Sequence, residues 1–301
     1  MRLDLGRLIT EQENPSTRDI DLLPTADILT KLNEQDAAVA AAVKKVIPEI
    51  AVLVDELVRR MEQGGRLLYA GCGTSARIAF MDASECSPTF GVSPDLVQVA
   101  MAGGKEAVFV AQEGTEDGVS AGKQAVDDWG AGEHDTVIGI AASGRTPYVL
   151  AALKRAKERG AFTAIVASNP VEGSPADVII SCITGPEALT GSTRLKAGTA
   201  AKMILNMIST TTMMKLGRVY GNRMCYIKST NNKLASRSVE TICKCTGLSD
   251  DEAARLLTVS GGSVAKALIM AVTGAGIEEV SSALDRANGN VRKAVNLIYG
   301  K

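Results

Sequence analysis

The fold class follows from the stretch Arg66-Leu67-Leu68-Tyr69-Ala70, which runs directly into Gly71-Cys72-Gly73-Thr74-Ser75. A short, continuous apolar run that ends in small and hydroxyl residues, with a helical stretch after it, is typical of a strand buried in a parallel sheet. The same pattern returns at Thr136–Ile140, which is followed by Ala141–Pro147 and the helical stretch Tyr148–Arg159. We therefore expect two equivalent strand–loop–helix units.

Three further apolar runs extend this pattern outward, at Leu96–Ala100, Phe162–Val166 and Val178–Ser181. Strands that alternate with helical segments pair in parallel, because each crossover needs a connection long enough to return to the same edge of the sheet. The sequence therefore predicts an α/β fold with a doubly wound, five-stranded parallel sheet.

The segments on either side of the sheet region are predicted to be helical. Apolar positions between Ala37 and Glu62 have helical spacing, with an interruption expected at Pro48. A long and largely buried helix is expected from Leu195 to Leu216, since its apolar residues cover more than one face.

The last part of the chain has a different pattern. The stretch Asp251–Ala267 is echoed by Glu278–Ala294, each with paired acidic residues, a glycine and a final Lys-Ala at corresponding positions. We predict a sheet domain with an N-terminal helical extension over residues 1–245 and a small helical, UBA-like appendage over residues 246–301. Chance similarity between two amphipathic helix pairs is the alternative.

Charge and hydropathy restrict the possible partners. The 301 residues include 33 Lys and Arg against 34 Asp and Glu, so the chain has no overall basic excess for binding nucleic acid. No apolar run approaches the roughly 20 residues that span a bilayer. The opening residues Met1–Arg7 lack the apolar run of a secretory signal. We expect a cytoplasmic protein with neither a nucleic acid nor a membrane as its partner.

The histidine and cysteine content limits the chemistry. His134 is the only histidine, and it lies in a polar turn, so a Ser-His-Asp triad and a multi-histidine metal site are both disfavoured. The six cysteines are scattered and are expected to be reduced thiols. We expect no metal or other cofactor, and acid–base chemistry would fall to carboxylates, lysines or tyrosines.

Two loops that leave predicted strands have the composition of a phosphate site. Small residues let the backbone approach a ligand, and hydroxyls and the first N–H groups of a helix donate hydrogen bonds to an anion. Neither loop matches a dinucleotide fingerprint or a P-loop, so a monophosphate is favoured. Plain helix capping is the alternative function of these hydroxyls. The phosphate candidates are Thr74, Ser75, Ser143, Gly144, Arg145 and Thr146.

Several segments, spread in order over nearly the whole chain, form a family-specific pattern. They are Thr10-Glu11 with Asn14-Pro15, Gly71–Arg77, Asp82–Gly91, Ala102–Gly104, Glu113–Asp117, Ala141–Tyr148, Thr190–Ala200 and Thr230–Leu234. Together these segments resemble the N-acetylmuramic acid 6-phosphate etherase family. Two departures from the family pattern are Ala76, where a glycine is usual, and Ser87, where a proline is usual.

The resemblance implies a sugar isomerase (SIS) domain that binds a small-molecule sugar phosphate and forms a homodimer. It also implies a lyase reaction, in which the D-lactyl ether of N-acetylmuramate 6-phosphate is cleaved to N-acetylglucosamine 6-phosphate and D-lactate. Such a reaction belongs to the recycling of cell-wall amino sugars. Elimination from the open-chain aldehyde, followed by addition of water, needs a base at C2 and an acid for the departing oxygen.

The resemblance also implies roles for particular residues. Glu85 matches the family's catalytic acid–base, and Glu116 matches its second catalytic glutamate, which we take as the C2 base. Arg194 and Lys196 are candidates for neutralising the phosphate or the lactyl carboxylate. Pairing with neighbouring acidic side chains is the alternative role of these two cations.

Two other functions fit the same residues. An aldose–ketose isomerase on this fold would use the same proton abstraction from C2, but it leaves the second glutamate without a task. A sugar-phosphate-sensing regulatory protein would bind the ligand without turnover, although the sequence contains no helix-turn-helix pattern or basic DNA-reading segment.

Overall fold

The computed structural model describes residues 8–227 and 232–300, without the side chains of residues 232–235. It has an α/β fold with a five-stranded parallel sheet in the order β2-β1-β3-β4-β5, which confirms the predicted fold class. The strands are β1 (Leu67–Gly71), β2 (Val97–Met101), β3 (Thr136–Ile140), β4 (Phe162–Ala167) and β5 (Val178–Ser181).

The register of the sheet brings the ends of its central strands to one edge. Gly71 at the end of β1 pairs with Met101 of β2 on one side and with Ile140 of β3 on the other. Every residue of β1 and β3 is buried, as expected for strands covered on both faces. The loops after β1 and β3, which the sequence singled out, therefore start side by side.

The helices that accompany the sheet account for most of the remaining chain of this region. The 3₁₀ turns of this part of the chain include Ile9–Glu11, Lys105–Val108 and Thr115–Asp117. The helices are α1 (Thr25–Ala37), α2 (Val39–Lys44), α3 (Ile47–Glu62), α4 (Gly73–Phe90), α5 (Val119–Trp129), α6 (Pro147–Glu158) and α7 (Lys196–Lys215).

The helical prediction for residues 37–62 needs one correction. The interruption lies at Lys45 and Val46, between α2 and α3, and not at Pro48. Pro48 is in the first turn of α3, where its missing N–H would have no intrahelical acceptor in any case. The long helix expected from Leu195 to Leu216 is confirmed as α7.

The core beneath the site is formed where α6 packs on β3. Val149 and Leu153 of α6 are fully buried and belong to one apolar cluster with the sheet residue Val137. A Cβ on Gly139 would lie 2.5 Å from Val149 Cγ1 and 2.9 Å from Leu153 Cδ1. Glycine at this point of β3 thus allows α6 to approach the sheet closely.

The chain forms two compact units. The first comprises residues 1–83 and 95–209, and the second comprises residues 84–94 and 210–301, so α4 and α7 contribute residues to both. The second unit includes more than the helical tail predicted from residue 246, because it also contains a two-stranded ribbon and the helix Asn232–Thr246. The domain boundaries at 245 and 246 stay a prediction. Its elements beyond α7 are β6 (Val219–Tyr220), β7 (Arg223–Met224), α8 (Asn232–Thr246), α9 (Asp250–Val259), α10 (Val264–Thr273), α11 (Ile277–Arg286) and α12 (Val291–Ile298).

The echo in the tail sequence corresponds to two equivalent helix pairs. The same offset of 27 residues separates the start of α9 from that of α11 and the start of α10 from that of α12. The side chains of Ser263 and Asn290 cap α10 and α12, and each accepts a hydrogen bond from the backbone N–H three residues later. Among the described residues, no single helix has the length and apolar composition to cross a bilayer, and only the sharply bent pair α9–α10 passes that test when taken together.

Candidate active site

A cavity of about 730 Å³ lies at the carboxyl ends of the parallel strands, within the first unit. Ligands of open parallel sheets bind at this edge, because the loops that leave the strands converge there. Its polar and charged lining residues are Thr10, Glu11, Cys72, Thr74, Ser75, Gln112, Glu113, Thr115, Glu116, Asp117, Ser143, Arg145, Thr146, Ser168 and Thr193.

The first predicted phosphate loop connects β1 to α4 and forms one wall of the cavity. Gly73 has a φ of +52°, which lets the chain turn sharply into α4, and Thr74 and Ser75 follow in its first turn. The first N–H groups of a helix have no intrahelical acceptor, and the helix dipole favours a negative charge beside them. This wall can therefore hold an anion with both backbone and hydroxyl donors.

The second predicted phosphate loop connects β3 to α6 and forms an adjacent wall. Ser143, Arg145 and Thr146 all line the cavity. Gly144 does not line it, but its φ of +70° forms the turn, and a Cβ there would lie 2.6 Å from Val171 Cγ2. Gly144 therefore shapes the loop, whereas its neighbours present donors to the cavity.

The hydroxyls of this second loop remain able to donate to a ligand. The Ser143 hydroxyl oxygen accepts a hydrogen bond from the Arg145 N–H at 3.2 Å, which leaves its own O–H free to donate. Thr146 is the N-cap residue of α6, yet its side chain makes no capping hydrogen bond. The Thr146 hydroxyl therefore does not cap α6, although helix capping was the alternative function expected for these hydroxyls.

Glu116 lies in the 3₁₀ turn Thr115–Asp117 and lines the cavity. Burial, with a smaller contribution from the charge of Glu116, raises the pKa of the Cys72 thiol to about 12. Burial also raises the pKa of Tyr148 to about 12. The Glu116 carboxylate is thus close enough to act on the Cys72 thiol, and that thiol is neutral at physiological pH.

The segment that carries Glu116 is anchored from α4. The Arg77 guanidinium donates hydrogen bonds to the carbonyl oxygens of Val108 at 2.8 Å and Ala107 at 2.7 Å. These bonds fix the 3₁₀ turn that precedes the loop. Arg77 lies two residues after Ser75 in α4, so these bonds connect the helix of the first wall to the segment that leads to the Glu116 turn.

Several cavity residues were not predicted as site residues from the sequence. Thr10 and Glu11 come from the N-terminal segment, and Gln112 and Ser168 come from two separate loops. The sequence marked Thr10 and Glu11 only as part of a family-like segment. The only other sequence signal for Glu11 was its charge within a polar stretch that lacks helical periodicity. Such a signal does not indicate that a residue lines a cavity.

Besides Gly144, three predicted site residues do not line the cavity. Glu85 and Arg194 are exposed, and Glu85 belongs to the part of α4 that lies in the second unit. Lys196 is buried, with 4% of the residue's surface exposed, and its ammonium donates to Gln35 Oε1 at 3.1 Å. The structure therefore brings together Glu116 and the phosphate candidates other than Gly144, but not these three residues.

Lys196 shares its buried environment with Glu187. The Glu187 carboxylate accepts hydrogen bonds from the backbone N–H groups of Lys196 and Ala197, each at 2.9 Å, at the start of α7. Burial raises the pKa of Glu187, and burial likewise lowers the pKa of Lys196. The Lys196 ammonium thus bonds to a neutral amide, whereas the Glu187 carboxylate bonds to backbone N–H groups, so pairing of the Lys196 charge with a neighbouring acid stays a prediction.

The remaining chemistry-bearing residues lie elsewhere. His134 is exposed and has a carboxylate neighbour in Glu133, with Nε2 at 3.5 Å from Glu133 Oε1, which confirms the predicted surface position. None of the six cysteines forms a disulfide bond, and all six lie among the described residues. In the described part of the chain, no group of three or more histidine, cysteine, aspartate or glutamate residues is arranged to hold a metal ion.

Relatives match this chain over almost its whole length. The protein named N-acetylmuramic acid 6-phosphate etherase from Rhizobium rhizogenes is 46% identical over 97% of this chain and 96% of its own length. The protein of the same name from Vibrio campbellii is 48% identical over 97% of this chain and 95% of its own. That from Caldanaerobacter subterraneus is 47% identical over 98% and 97%. The chain belongs to the N-acetylmuramic acid 6-phosphate etherase family.

The fold of this etherase-family chain has independent support. Residues 49–157 match the glucokinase regulatory protein N-terminal SIS domain, a range that contains β1, α4, β2, α5 and β3. A phosphoheptose isomerase from Francisella tularensis aligns with a TM-score of 0.50 at 18% identity, over 64% of this chain and 100% of that chain. At this identity the likeness concerns the fold alone, and it agrees with a SIS-type sheet.

Proposed function

We propose that this chain is a carbon–oxygen lyase that cleaves the D-lactyl ether of N-acetylmuramic acid 6-phosphate. The products are N-acetylglucosamine 6-phosphate and D-lactate. The observation that carries the proposal is the similarity to etherase-family proteins along 97% of the chain at 46% and 48% identity. Relatives that match 97% of the chain are named as etherases, and this favours neither an aldose–ketose isomerase nor a non-catalytic sugar-phosphate sensor.

The phosphate of the substrate would bind between the first turns of α4 and α6. Two helix N-termini meet at this wall, together with the hydroxyls of Thr74, Ser75, Ser143 and Thr146. Backbone N–H groups and hydroxyls bind a phosphate without requiring a lysine or arginine for each oxygen. Arg145 would supply the positive charge at the cavity rim, where its side chain is exposed.

The elimination step would use Glu116 as the base. In the open-chain sugar the C1 aldehyde acidifies the hydrogen on C2, so that Glu116 can remove it as a proton. The electron pair of the C2–H bond becomes the C2–C3 double bond, and the C3–oxygen bond of the lactyl ether breaks. Glu116 lines the same cavity as the phosphate loops, from the turn Thr115–Asp117, which supports this role.

The departing lactate oxygen would take its proton from Glu85. Water then adds at C3 of the unsaturated aldehyde, with Glu85 removing a proton from the water and Glu116 returning the proton to C2. Each glutamate thereby ends the cycle in the state in which it began. Elimination followed by addition at C3 requires one group that first donates a proton to the departing oxygen and then removes a proton from the attacking water.

We propose that Glu85 performs this step in the cavity of a second copy within a homodimer. The Glu85 side chain is exposed and does not line its own chain's cavity among the described residues. Phe80 and Met81, on the same helix, are 50% and 46% exposed, and exposed apolar side chains on one helix support a protein interface there. Light scattering coupled to size-exclusion chromatography tests the dimer.

Catalysis is tested by incubating the protein with N-acetylmuramate 6-phosphate and assaying D-lactate. We expect release by the wild type and a loss of about 100- to 10,000-fold in kcat for Glu116→Gln and for Glu85→Gln, since each removes one acid–base group. Glu133→Gln, an exposed carboxylate beside His134, is the matched control and should leave release unchanged. Folded wild-type protein that releases no lactate would exclude the etherase reaction.

Solvent exchange separates the roles of the two glutamates. In deuterated water, Glu85→Gln should still exchange the C2 hydrogen without releasing lactate, because Glu116 remains as the base. Glu116→Gln should lose both exchange and release. Loss of exchange in the Glu85 variant would instead make Glu85 the C2 base.

A cytoplasmic location is part of the proposal. Cysteines stay without disulfide bonds in a reducing compartment, and none of the six cysteines, all of which are described, forms a disulfide. Fractionation of cells that produce the protein, with the activity followed in each fraction, is the corresponding measurement.

A further inference from the structure

The N-terminal 3₁₀ turn Ile9–Glu11 is fixed against the cavity by one buried asparagine. Asn169 has no exposed surface, and its side-chain oxygen accepts a hydrogen bond from the Ile9 N–H at 2.7 Å. Its side-chain nitrogen donates to the Thr10 hydroxyl at 3.0 Å and to the Ala142 carbonyl oxygen at 2.8 Å. The turn is thereby joined to the start of the second phosphate loop.

A glycine holds the same turn from the other side. The Gly191 N–H donates to the Thr10 carbonyl oxygen at 3.0 Å, and Gly191 has a φ of +76°. A Cβ at this position would lie 2.8 Å from Glu11 Oε2. A side chain at residue 191 would therefore displace the Glu11 carboxylate, so the glycine keeps room for that carboxylate beside the cavity.

The Glu11 carboxylate itself has no protein partner in the part of the chain that the structure describes. Its side chain is partly buried and lines the cavity, yet none of the described donors lies within hydrogen-bonding distance of it. A partly desolvated carboxylate without a donor is unfavourable, and a ligand that brings a donor removes this cost. The hydrogen bonds from Asn169 and from Gly191 thus fix the turn so that the Glu11 carboxylate, a hydrogen-bond acceptor, lines the cavity.

The charge of the cavity restricts what Glu11 can bind. Among the described lining residues, four are carboxylates (Glu11, Glu113, Glu116, Asp117) and only Arg145 is a cation. An ionised carboxylate only accepts hydrogen bonds, and it repels the phosphate and the lactyl carboxylate of the substrate. Its partner must therefore be one of the neutral O–H or N–H donors of the sugar.

We propose that Glu11 is a substrate-contacting residue that recognises a neutral donor of the amino sugar, and the C4 hydroxyl and the acetamido N–H are the two donors to be tested. Asn169 is its positioning residue, because it holds the turn that carries Glu11. The identity of the sugar rests on the proposed function. The contact itself rests on the hydrogen bonds of Asn169 and Gly191 to the turn, and on the Glu11 carboxylate that has no partner among the described residues.

The test compares Glu11→Gln and Glu11→Ala with Glu13→Gln. Glu13 is exposed, pairs with Arg18 and does not line the cavity, so it is a matched carboxylate control. We expect kcat/KM for lactate release to fall about 10- to 100-fold in Glu11→Ala and less in Glu11→Gln, with an unchanged control. The thermal unfolding midpoint should remain close to that of the wild type in all three.

A second readout does not depend on turnover. Binding of N-acetylglucosamine 6-phosphate, measured by calorimetry, should weaken by a similar factor in Glu11→Ala, because that sugar contains both candidate donors. If the wild type binds this sugar in a Glu11-dependent way but releases no lactate, the etherase reaction fails and the Glu11 contact stands. Unchanged binding and unchanged kcat/KM in Glu11→Ala would overturn the contact.

Two substrate analogues identify the donor. Against the 4-deoxy analogue of N-acetylmuramate 6-phosphate, Glu11→Ala should cost less than about 2-fold if the C4 hydroxyl is the partner. Against the analogue methylated on the acetamido nitrogen, the same small effect would identify the N–H. A full effect against both analogues would contradict recognition of either donor. A merely structural role of Glu11 would lower the rate equally for all substrates.

Discussion

Glu187 is fully buried and accepts a hydrogen bond from the backbone N–H of Lys196 at 2.9 Å, where α7 begins. A second bond, from the Ala197 N–H, leaves the carboxylate as a cap on the first turn of that helix. Ala197 and the following Gly198 line the cavity. The cap therefore fixes both the helix and one wall of the site.

Replacing Glu187 by Gln should destabilise the protein by about 1–3 kcal/mol, because the amide oxygen can take the place of only one carboxylate oxygen and leaves one buried N–H without its acceptor. The free energy of unfolding in urea measures this loss. Glu172→Gln, an exposed carboxylate, is the control and should change stability by less than about 0.5 kcal/mol. Equal stability of the two variants would contradict the capping role.

Asn169→Ala should lower the free energy of unfolding by about 2–3 kcal/mol, because it leaves buried donors and acceptors of the N-terminal turn unpaired. It should also raise KM for the substrate, since the turn carries Glu11. Asn33→Ala, at an exposed position of α1, is the control. A stability loss in Asn169→Ala with an unchanged KM would separate the turn from the site.

The parts of the fold that the sequence predicted are those with a local signal. A strand buried on both faces must be apolar throughout, so β1, β3 and β4 could be recognised as runs. Parallel strands end at one edge, so the loops after β1 and β3 could be expected to meet. The loop composition then predicted an anion site, and the structure brings those hydroxyls to one cavity.

What the sequence did not predict depends on contacts between distant residues. Asn169 is 160 residues from Ile9, and no local pattern indicates that they pair. Lys196 looked like a candidate for an anionic ligand because it begins a helix near a family-like segment. Its burial depends on Glu187 and Gln35, which pack around it only in the folded chain. The break between α2 and α3 was misplaced because proline is tolerated in the first turn of a helix.

Gly139→Ala should destabilise the protein by about 1–3 kcal/mol, since the added methyl group would overlap Val149 and Leu153. Urea unfolding gives the change. Gly132→Ala is the matched control, because the nearest atom to its Cβ would be Asp135 Oδ2 at 3.9 Å. If both variants were as stable as the wild type, the close packing of α6 on β3 would not require a glycine at position 139, and the prediction would be wrong.

Glu56→Gln should lower the free energy of unfolding at neutral pH, and this loss should disappear in acid. Hydrogen bonds from Arg59 and Arg60 lower the pKa of Glu56 from 4.5 to about 2. A carboxylate whose folded pKa is depressed stabilises the fold above the unfolded pKa, and this contribution disappears as the pH falls from 4.5 towards 2. The wild type should exceed the variant by about 0.5–1 kcal/mol at pH 7, with the difference shrinking below pH 4.5. Urea unfolding at several pH values, with Asp55→Asn of the same helix as control, measures it.

Mixed dimers of Glu85→Gln and Glu116→Gln test whether Glu85 acts in a neighbouring copy's cavity. If each site combines Glu85 of one chain with Glu116 of the other, a mixed dimer contains one site with both glutamates intact and one with neither. Co-expression with two different affinity tags and purification on both should therefore recover about half of the wild-type activity. The same procedure with two Glu85→Gln chains is the control and should give none. Inactive mixed dimers would mean that both glutamates belong to the site of a single chain.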